Sequence, residues 1–483
     1  MTETAFKSAT ELAAMIRKRE IGAEELLDLY FARIDKHNPA LNAVIWEDRE
    51  GARETARAAD NAAVRGGDLP PLHGVPMTIK ESYDLAGSPT TWGDPEFRDN
   101  IAETDSVSVE RLKAAGVNLF GKTNVPLMLA DWQSYNDIYG VTNNPWDLGR
   151  TPGGSSGGSG AALAAGMTGI EAGSDIGASI RNPAHYCGVF GHKPSWGICP
   201  PRGQALPGVL AQSDISVVGP LARSADDLEA ALDAMAGPDD MAAAGYRLDL
   251  PGPRVPGFEG LRVAVMLEAE PSEVDTVYGD LLQELVDRIG ATGAIVSDTA
   301  RPEIDMNELH ENYTLLLRAA TSGRQSEAVL REHEDAVERL GTDDPSYYAR
   351  MARGNTMRHR EWLALREKRE HFRWAWHRFF RDWDVLLCPV AASTAFPHDH
   401  EGERYQRTVR VNNREVSTTD QLFWAGFNGV CYLPGAVAPA GIARDGLPGG
   451  VQIVGPYLGD RACIHTARLI ERHFGGFQPP PGY

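Results

Sequence analysis

Cysteine is scarce in this chain of 483 residues, and its placement excludes two classes of cross-linked protein. The five cysteines, an odd number without paired spacing, are Cys187, Cys199, Cys388, Cys431 and Cys463. A disulfide scaffold or a zinc ribbon needs paired cysteines, so neither class fits. The pattern indicates a reducing compartment, and we expect a cytoplasmic protein.

Long apolar runs and an excess of positive charge are also missing. No window reaches the roughly 18 uninterrupted apolar residues of a membrane span, and the start, MTETAFKSATELAAM, lacks the features of a secretory signal peptide. The 67 acidic residues outnumber the 47 basic ones, which gives a formal net charge of −20 and disfavours a nucleic-acid partner. We expect an enzyme that acts on a small molecule, with no nucleic acid and no membrane as partner; a homodimer is left open.

No low-complexity linker, charge run or internal repeat divides the chain, and we predict a single domain over residues 1–483. Its segments are predicted to be N-terminal helices (1–65), a core that contains the motifs described below (66–235), a surface connection (236–260), a charged helical insertion or lid (303–383) and the C-terminal part of the core (384–483).

Hydrophobic periodicity predicts individual elements within these segments. Residues 8–21 and 23–36 are predicted to form amphipathic helices, with Ser8 and Glu11 as a capping box. The run from 75 to 79 is typical of a strand. The remaining predictions are a helix at 106–115, a strand at 117–120, a strand–helix–strand unit at 261–267, 275–289 and 294–297, and a strand at 384–389.

The most informative stretch lies between Gly149 and Lys193 and contains two clusters of glycine and serine. They read GGSSGGS at 153–159 and GSDIGAS at 173–179. Glycine lets the backbone approach a ligand closely, and successive N–H groups in such turns form anion-binding concavities. A flexible linker would be polar on both sides, whereas the first cluster leads into the helix-forming AALAAGM. A phosphate-binding loop would end in Gly-Lys-Ser/Thr, and neither cluster has that ending.

This stretch resembles the signature of the amidase-signature hydrolases, which runs G-G-S-S-G-G-S and then G-[ST]-D-x-G-[GA]-S-[IV]-R. Other landmarks of that family are matched by LHGVPMTIKE at 72–81, GKTN at 121–124, NPWD at 144–147 and GLPGGVQIVG at 446–455. The resemblance covers nearly the whole chain. It implies an α/β fold with a large mixed, twisted β-sheet covered by helices on both faces, and no cofactor.

The resemblance also implies the site residues. Ser179 would be the nucleophile and Lys80 the base, acting through Ser155, and the bond before Ser155 would be a cis peptide. The implied oxyanion hole consists of the N–H groups of Ile176, Gly177, Ala178 and Ser179, and the implied supporting residues are Ser156, Asp175 and Arg181. The implied substrate pocket is the segment Met128, Leu129, Ala130, Asp131 and Trp132, to which we add Trp196 and Ile198.

The residues taken alone leave three alternatives open. Ser179 is near His185 and Asp175, and histidine is the usual base for a serine. Strand alternation would place Lys80 on a solvent face, opposite its apolar neighbours. The loop His398–Glu401 offers candidate metal ligands, although no further clustered partner accompanies it, and we expect no metal.

One position departs from the family pattern. Many members carry two glycines before the nucleophile, whereas Ala178 is the second here. Alanine is strained at positive φ, so we expect a negative φ at this position.

The function expected from the resemblance is hydrolysis of a small to medium, largely apolar amide, anilide, ester or carbamate through a seryl acyl-enzyme. The alternative is the glutaminase subunit of a tRNA-dependent amidotransferase, which usually carries Thr and Gly where this chain has Ile176 and Ala178. An inactive binding module is disfavoured because Lys80, Ser155 and Ser179 are all present.

Overall fold

The computed structural model describes residues 2–483 and alternates helices with strands along most of the chain. The α-helices are α1 (Thr2–Ala5), α2 (Ala9–Arg17), α3 (Ala23–Leu41), α4 (Arg49–Arg65), α5 (Val107–Ala114), α6 (Gly157–Ala164), α7 (Arg181–Cys187), α8 (Ala225–Met235), α9 (Asp240–Ala243), α10 (Thr276–Gly290), α11 (Met306–Thr321), α12 (Glu327–Leu340), α13 (Tyr347–Asn355), α14 (His359–Asp382), α15 (Leu422–Val430) and α16 (Asp460–Phe474).

The strands are short, and four 3₁₀ turns accompany them at Pro95–Phe97, Leu127–Leu129, Ser322–Arg324 and Arg404–Gln406. The strands are β1 (Val44–Glu47), β2 (Pro76–Lys80), β3 (Asn118–Thr123), β4 (Tyr135–Asn136), β5 (Gly140–Val141), β6 (Glu171–Asp175), β7 (Phe190–Lys193), β8 (Val217–Ala222), β9 (Arg262–Val265), β10 (Ile295–Ser297), β11 (Val385–Cys388), β12 (Thr408–Val411), β13 (Arg414–Ser417), β14 (Gly435–Ile442) and β15 (Pro448–Val454).

Eight strands form one large mixed sheet in the order β10-β9-β11-β15-β14-β7-β8-β6. The β10, β9 and β11 strands run parallel to one another, and every other neighbouring pair is antiparallel. The large mixed sheet of the predicted α/β fold is therefore confirmed. Its strands come from both sides of the helical segment 303–383, so that segment interrupts the sheet in sequence but not in space.

A smaller sheet, in the order β1-β3-β2, lies against the edge of the large one. The β2 strand ends at Lys80, which pairs with Thr123 of β3, and its burial is complete along all five residues. Because both faces of β2 are covered, strand alternation does not bring Lys80 to solvent, and that alternative from the sequence is wrong.

Local signals in the sequence locate most helices well. Ser8 caps α2 and forms the predicted capping box with Glu11. The α3 helix runs five residues beyond its predicted end, through Pro39, and ends at Asn42 in the left-handed conformation. The predicted helices at 106–115 and 275–289 and the strands at 117–120, 261–267, 294–297 and 384–389 are all present, within three residues of their predicted bounds.

The connection at 236–260 is mostly irregular, apart from the short α9. The segment 303–383 holds four helices, α11 to α14, and α11 packs against α13, α14 and α15. Within residues 2–483, no helix is long and apolar enough to cross a membrane.

Candidate active site

The Lys80 side chain is completely buried, at 0% exposure, at the point where β2 meets the edge strand β6. Its Nζ lies 2.7 Å from Ser155 Oγ, 3.0 Å from Ser174 Oγ and 3.4 Å from the Ser174 carbonyl oxygen. Gln204 Nε2 also donates to Ser174 Oγ, at 3.1 Å, so this oxygen acts as an acceptor. A neutral amine has two N–H bonds and one lone pair. If both N–H bonds go to Ser174, the lone pair faces the Ser155 hydroxyl.

Burial favours the neutral form of the Lys80 amine near neutral pH. It lowers the pKa of Lys80 from 10.5 to about 7, although the nearby carboxyl groups of Asp175, Glu81 and Glu171 act in the opposite direction. The effect of Glu171 on the lysine is weakened, because burial raises the pKa of Glu171 to about 8. A protonated Glu171 does not hold the lysine in its ammonium form.

Ser155 and Ser179 line the same cavity, with no hydrogen bond between their two hydroxyls. The loop that carries Ser155 is tied to the second serine by the main chain, because the Ser156 N–H donates to the Ser179 carbonyl at 3.1 Å. The Gly154–Ser155 peptide bond is cis. The Ser156 hydroxyl is buried and has no hydrogen-bond partner within the described chain, so its contribution comes from the backbone.

A buried ion pair holds the turn that carries Ser179. Asp175 Oδ1 accepts from Arg181 Nη2 at 2.8 Å, and Oδ2 accepts from Nε at 3.0 Å. Burial alone would raise the pKa of Asp175, but the Arg181 guanidinium outweighs burial and lowers it below its ordinary value. The same carboxylate accepts the N–H of Ala178 at 2.9 Å and of Ile180 at 3.1 Å, which closes the turn around its oxygens.

Arg181 in turn is anchored in the large sheet and the neighbouring helix. Its Nη1 donates to Gln452 Oε1 of β15 at 2.7 Å and to Asn428 Oδ1 of α15 at 2.9 Å. A charge-assisted network of this kind is strong when every partner is satisfied. The serine turn is thereby fixed to the most buried part of the fold.

Two sequence predictions about Ala178 need correction. Its φ is +69°, not negative, because the turn reverses direction between Asp175 and Ser179 and the surrounding ion pair imposes the left-handed conformation. Its N–H donates to Asp175 Oδ1, so it is not available to an oxyanion. The ion pair leaves the N–H groups of Ile176, Gly177 and Ser179 as the candidate donors.

Two aromatic side chains orient the peptide groups of this turn. Tyr313 of α11 donates its hydroxyl to the Ile176 carbonyl at 3.2 Å, and Trp132 Nε1 donates to the Gly177 carbonyl at 2.7 Å. In a planar trans peptide, the C=O and the following N–H point in opposite directions. The bond from Tyr313 therefore fixes the direction of the Gly177 N–H.

His185 is engaged elsewhere, which removes the alternative of a Ser179–His185–Asp175 triad. Its Nδ1 accepts the Gly450 N–H at 2.8 Å, and its Nε2 lies 3.0 Å from the Ser393 carbonyl, to which it donates. Burial lowers the pKa of His185 to about 4. The ring packs beside Tyr186, at 5.0 Å between centroids.

The loop His398–Glu401 uses its histidines for protein contacts. His398 Nε2 lies 3.0 Å from Asn143 Oδ1, and His400 stacks on Tyr135 at 4.0 Å between ring centroids. Within the described part of the chain, 2–483, no group of three or more His, Cys, Asp and Glu side chains could hold a metal ion.

The cavity in front of the two serines encloses about 250 Å³. It is lined by Trp92, Met128, Leu129, Ala130, Asp131, Trp132, Ser155, Ser174, Ile176, Gly177, Ser179, Gln204, Ser216, Leu317, Arg318, Thr321, Arg324, Gln325, Arg404 and Leu422. The whole predicted segment 128–132 lines it, including Asp131.

Two residues predicted for the pocket are not part of it. Trp196 stacks on Tyr432 at 4.6 Å between ring centroids, and Ile198 is buried in the main hydrophobic core. Both follow the β7 strand, which is separated from the serine turn by α7 in sequence. Their proximity to the motif along the chain did not translate into proximity in space.

Several residues of the site were missed. Ser174 lies within the second glycine–serine cluster, so its place beside Lys80 could have been anticipated from the motif. Gln204, Tyr313 and the cavity arginines come from segments that carry no recognisable signal. Only the folded chain brings them to the site.

A buried lysine amine 2.7 Å from a serine hydroxyl, a second serine in the same cavity and a braced turn with spare N–H groups form an arrangement suited to a serine hydrolase, with lysine rather than histidine beside the serine. Comparison with known proteins narrows this class. The family model named Amidase matches residues 25–464. The chain belongs to the amidase signature family and is a hydrolase that acts on carbon–nitrogen bonds.

Three relatives illustrate the breadth of that family. Indoleacetamide hydrolase of Bradyrhizobium diazoefficiens is 34% identical, over 97% of this chain and 86% of that protein. A glutamyl-tRNA(Gln) amidotransferase subunit of Anaeromyxobacter dehalogenans is 32% identical, over 98% of this chain and 97% of that protein. A crystal structure of a bacterial aryl acylamidase of the amidase signature family superposes with a TM-score of 0.81 at 24% identity, covering 97% of this chain and 96% of that one, and supports the fold.

Proposed function

We propose that this protein is a stand-alone amidase that cleaves a small to medium amide through an acyl-enzyme on Ser179. The observation that carries the proposal is the 2.7 Å approach of a fully buried Lys80 to Ser155, in the cavity that also holds Ser179. Apolar cavity walls, such as Trp132 and Leu422, suit an apolar part of the substrate. Release of the amine from a panel of anilides and alkyl amides tests the proposal.

The acylation step transfers two protons in sequence. Neutral Lys80 takes the proton of Ser155, Ser155 takes the proton of Ser179, and the Ser179 oxygen bonds to the carbonyl carbon of the amide. The carbonyl oxygen becomes an oxyanion within reach of the N–H groups of Ile176, Gly177 and Ser179. Preorganised donors of this kind contribute roughly 3–4 kcal/mol each to the transition state.

Collapse of the tetrahedral intermediate breaks the carbon–nitrogen bond. The proton held by Lys80 returns through Ser155 to the leaving nitrogen, which departs as a neutral amine. Water then attacks the acyl ester on Ser179, with the same relay removing its proton and returning one to the serine. The cycle ends with a carboxylic acid, a free amine and the original protonation of the enzyme.

The glutaminase subunit of a tRNA-dependent amidotransferase is the second candidate, supported by the relative that is 32% identical. Ile176 and Ala178 stand where those subunits usually carry Thr and Gly, which favours the stand-alone enzyme. Release of ammonia from glutamine faster than from acyl anilides would reverse this preference.

The pH profile provides a direct test of the lysine. Because Lys80 acts as a neutral amine and its pKa is lowered to about 7, the rate should rise with pH through about 7 and level off above it. The measurement is kcat/KM for an uncharged anilide, so that the substrate does not titrate. A rate that falls across the same interval would contradict the assignment.

All five cysteines are free and buried, which supports the expected cytoplasmic, reducing environment. The oligomeric state stays a prediction, to be measured by light scattering.

A further inference from the structure

Three arginines line the cavity that holds Ser155 and Ser179, in a protein whose net charge is −20. Arg318 belongs to the last turn of α11, Arg324 to the 3₁₀ turn that follows, and Arg404 to the 3₁₀ turn at 404–406. All three are half-buried. They approach the site from segments about 80 residues apart in sequence, so no single local motif accounts for them.

None of the three forms a salt bridge with a carboxylate of the described chain. Arg318 donates to the Tyr347 hydroxyl, at 3.0 Å from Nε. Arg324 lies over the Trp92 ring at 4.7 Å and donates to the Met128 carbonyl at 3.4 Å. Every protein partner of these two arginines is neutral.

Arg404, the third arginine of the cavity, also has only neutral contacts. It lies 5.4 Å from the centre of the Trp132 ring and donates from Nη1 to the Ala130 carbonyl at 3.3 Å, while its buried Nη2 has no partner within the described chain. An arginine keeps its charge in proteins, and a buried N–H donor without a hydrogen-bond partner is costly.

The single acidic side chain that lines the cavity does not supply the missing counter-charge. Asp131 is bound by Arg407, with 2.6 Å between Oδ2 and Nη1. Burial lowers the pKa of Arg324, and no neighbouring carboxylate offsets the effect. The cavity lining therefore carries an excess of positive charge, because its three arginines have no carboxylate partner within residues 2–483 and its one carboxylate is bound by Arg407.

We propose that the amide cleaved by this enzyme carries an anionic group, a carboxylate or a group of similar charge and geometry, which binds Arg318, Arg324 and Arg404. The inference rests on the proposed function and specifies its substrate class. A planar guanidinium matches a carboxylate with two parallel hydrogen bonds. The apolar walls then take the carbon skeleton of the substrate, and the arginines take its charged end, which revises the expectation of a largely apolar amide.

The position of Arg324 indicates that the site has room for the charged end of the substrate. It lines the serine cavity and also a neighbouring cavity of about 290 Å³, and both cavities share Trp92, Gln204 and Ser216. A substrate with its amide at Ser179 and its anionic group near Arg324 would extend toward this second space.

Binding measured on the Ser179→Ala protein tests the proposal without turnover. Two matched pairs of amides place the charge on either side of the scissile bond. On the acyl side, succinic acid mono-4-nitroanilide is compared with 4-oxopentanoic acid 4-nitroanilide. On the amine side, N-acetyl-4-aminobenzoate is compared with N-acetyl-4-aminoacetophenone. In each pair a methyl ketone replaces the carboxylate at nearly equal size.

We expect the carboxylate member of at least one pair to bind about 10- to 100-fold more tightly, the range for charge-assisted hydrogen bonds. In Ser179→Ala/Arg324→Met, and in Ser179→Ala/Arg404→Met, this ratio should fall about tenfold. Arg324→Lys should retain part of it, because the charge remains. Added salt should reduce the ratio in the parent protein, since it screens the attraction.

Arg301→Met is the matched control, because Arg301 also forms no salt bridge within the described chain, bonds only main-chain carbonyls and lies outside both cavities. It should leave the ratio unchanged. Equal binding of both members in both pairs would overturn the proposal, as would a preference that survives in both methionine variants. Hydrolysis of the same four amides by the unmodified enzyme is scored separately. A carboxylate preference without any turnover would contradict the proposed amidase and still support the anion site.

Discussion

Lys80→Met should lower kcat about 10²- to 10⁴-fold, the range over which a positioned base accelerates a reaction. Methionine is close to lysine in length and apolar, so it suits a site that is 0% exposed while removing the amine that lies 2.7 Å from Ser155 Oγ. KM should change much less, because Lys80 does not line the cavity. The measurement is kcat and KM with a neutral anilide, on protein whose circular-dichroism spectrum and thermal midpoint are checked first.

Lys193→Met is the matched control for this experiment. Lys193 is also buried, and burial lowers its pKa to about 7 as well, but its Nζ donates to the main-chain carbonyls of Pro194 and Leu433. Its replacement should reduce stability without a comparable loss of kcat in the folded protein. His185→Ala should likewise lose far less activity than Lys80→Met. A folded Lys80→Met enzyme that keeps a tenth of the activity would refute the role of Lys80.

The sequence could predict the centre of this site because short motifs carry it. The glycine–serine clusters and the LHGVPMTIKE segment contain Lys80, Ser155, Ser174, Asp175 and Ser179 within about 100 residues. Each of these positions is fixed by strand ends and tight turns, whose geometry is local. The family resemblance then ordered the residues into roles that spacing alone left open, since a histidine six residues from Ser179 was an equally visible base.

The rim of the site could not be predicted, because its residues converge only through tertiary packing. The pair at 318 and 324 belongs to the charged helical segment, and Arg404 belongs to the connection between β11 and β12. None of the three lies in a motif, so their charge made them look like ordinary surface residues. Lys80 is buried because other parts of the chain cover both faces of β2. The positive φ of Ala178 depended on the ion pair around it, against the local preference of alanine.

A second large loss of activity is expected when the proposed nucleophile, Ser179, is replaced. Ser179→Ala should reduce amide hydrolysis to the background set by the oxyanion donors and substrate binding, a loss of roughly 10⁶-fold by analogy with nucleophile removal in other serine hydrolases. The substitution removes one oxygen from a side chain that is 5% exposed, so the fold and the thermal midpoint should hardly change. Both activity and covalent labelling report on this residue.

A fluorophosphonate reacts with an activated serine, which displaces fluoride and forms a stable phosphonyl ester. The unmodified protein should gain one such group, located by mass spectrometry on the peptide that contains Ser179, and Ser179→Ala should gain none. Ser155→Ala is the informative comparison, because it removes the other cavity hydroxyl, the one bonded to Lys80, and leaves the nucleophile in place. Labelling of that variant should be slow but still located at Ser179, since the serine persists while its route to the buried amine is cut. Labelling of Ser179→Ala at full stoichiometry on Ser155 would exchange the roles of the two serines, and the direct 2.7 Å contact to Lys80 would then belong to the nucleophile itself.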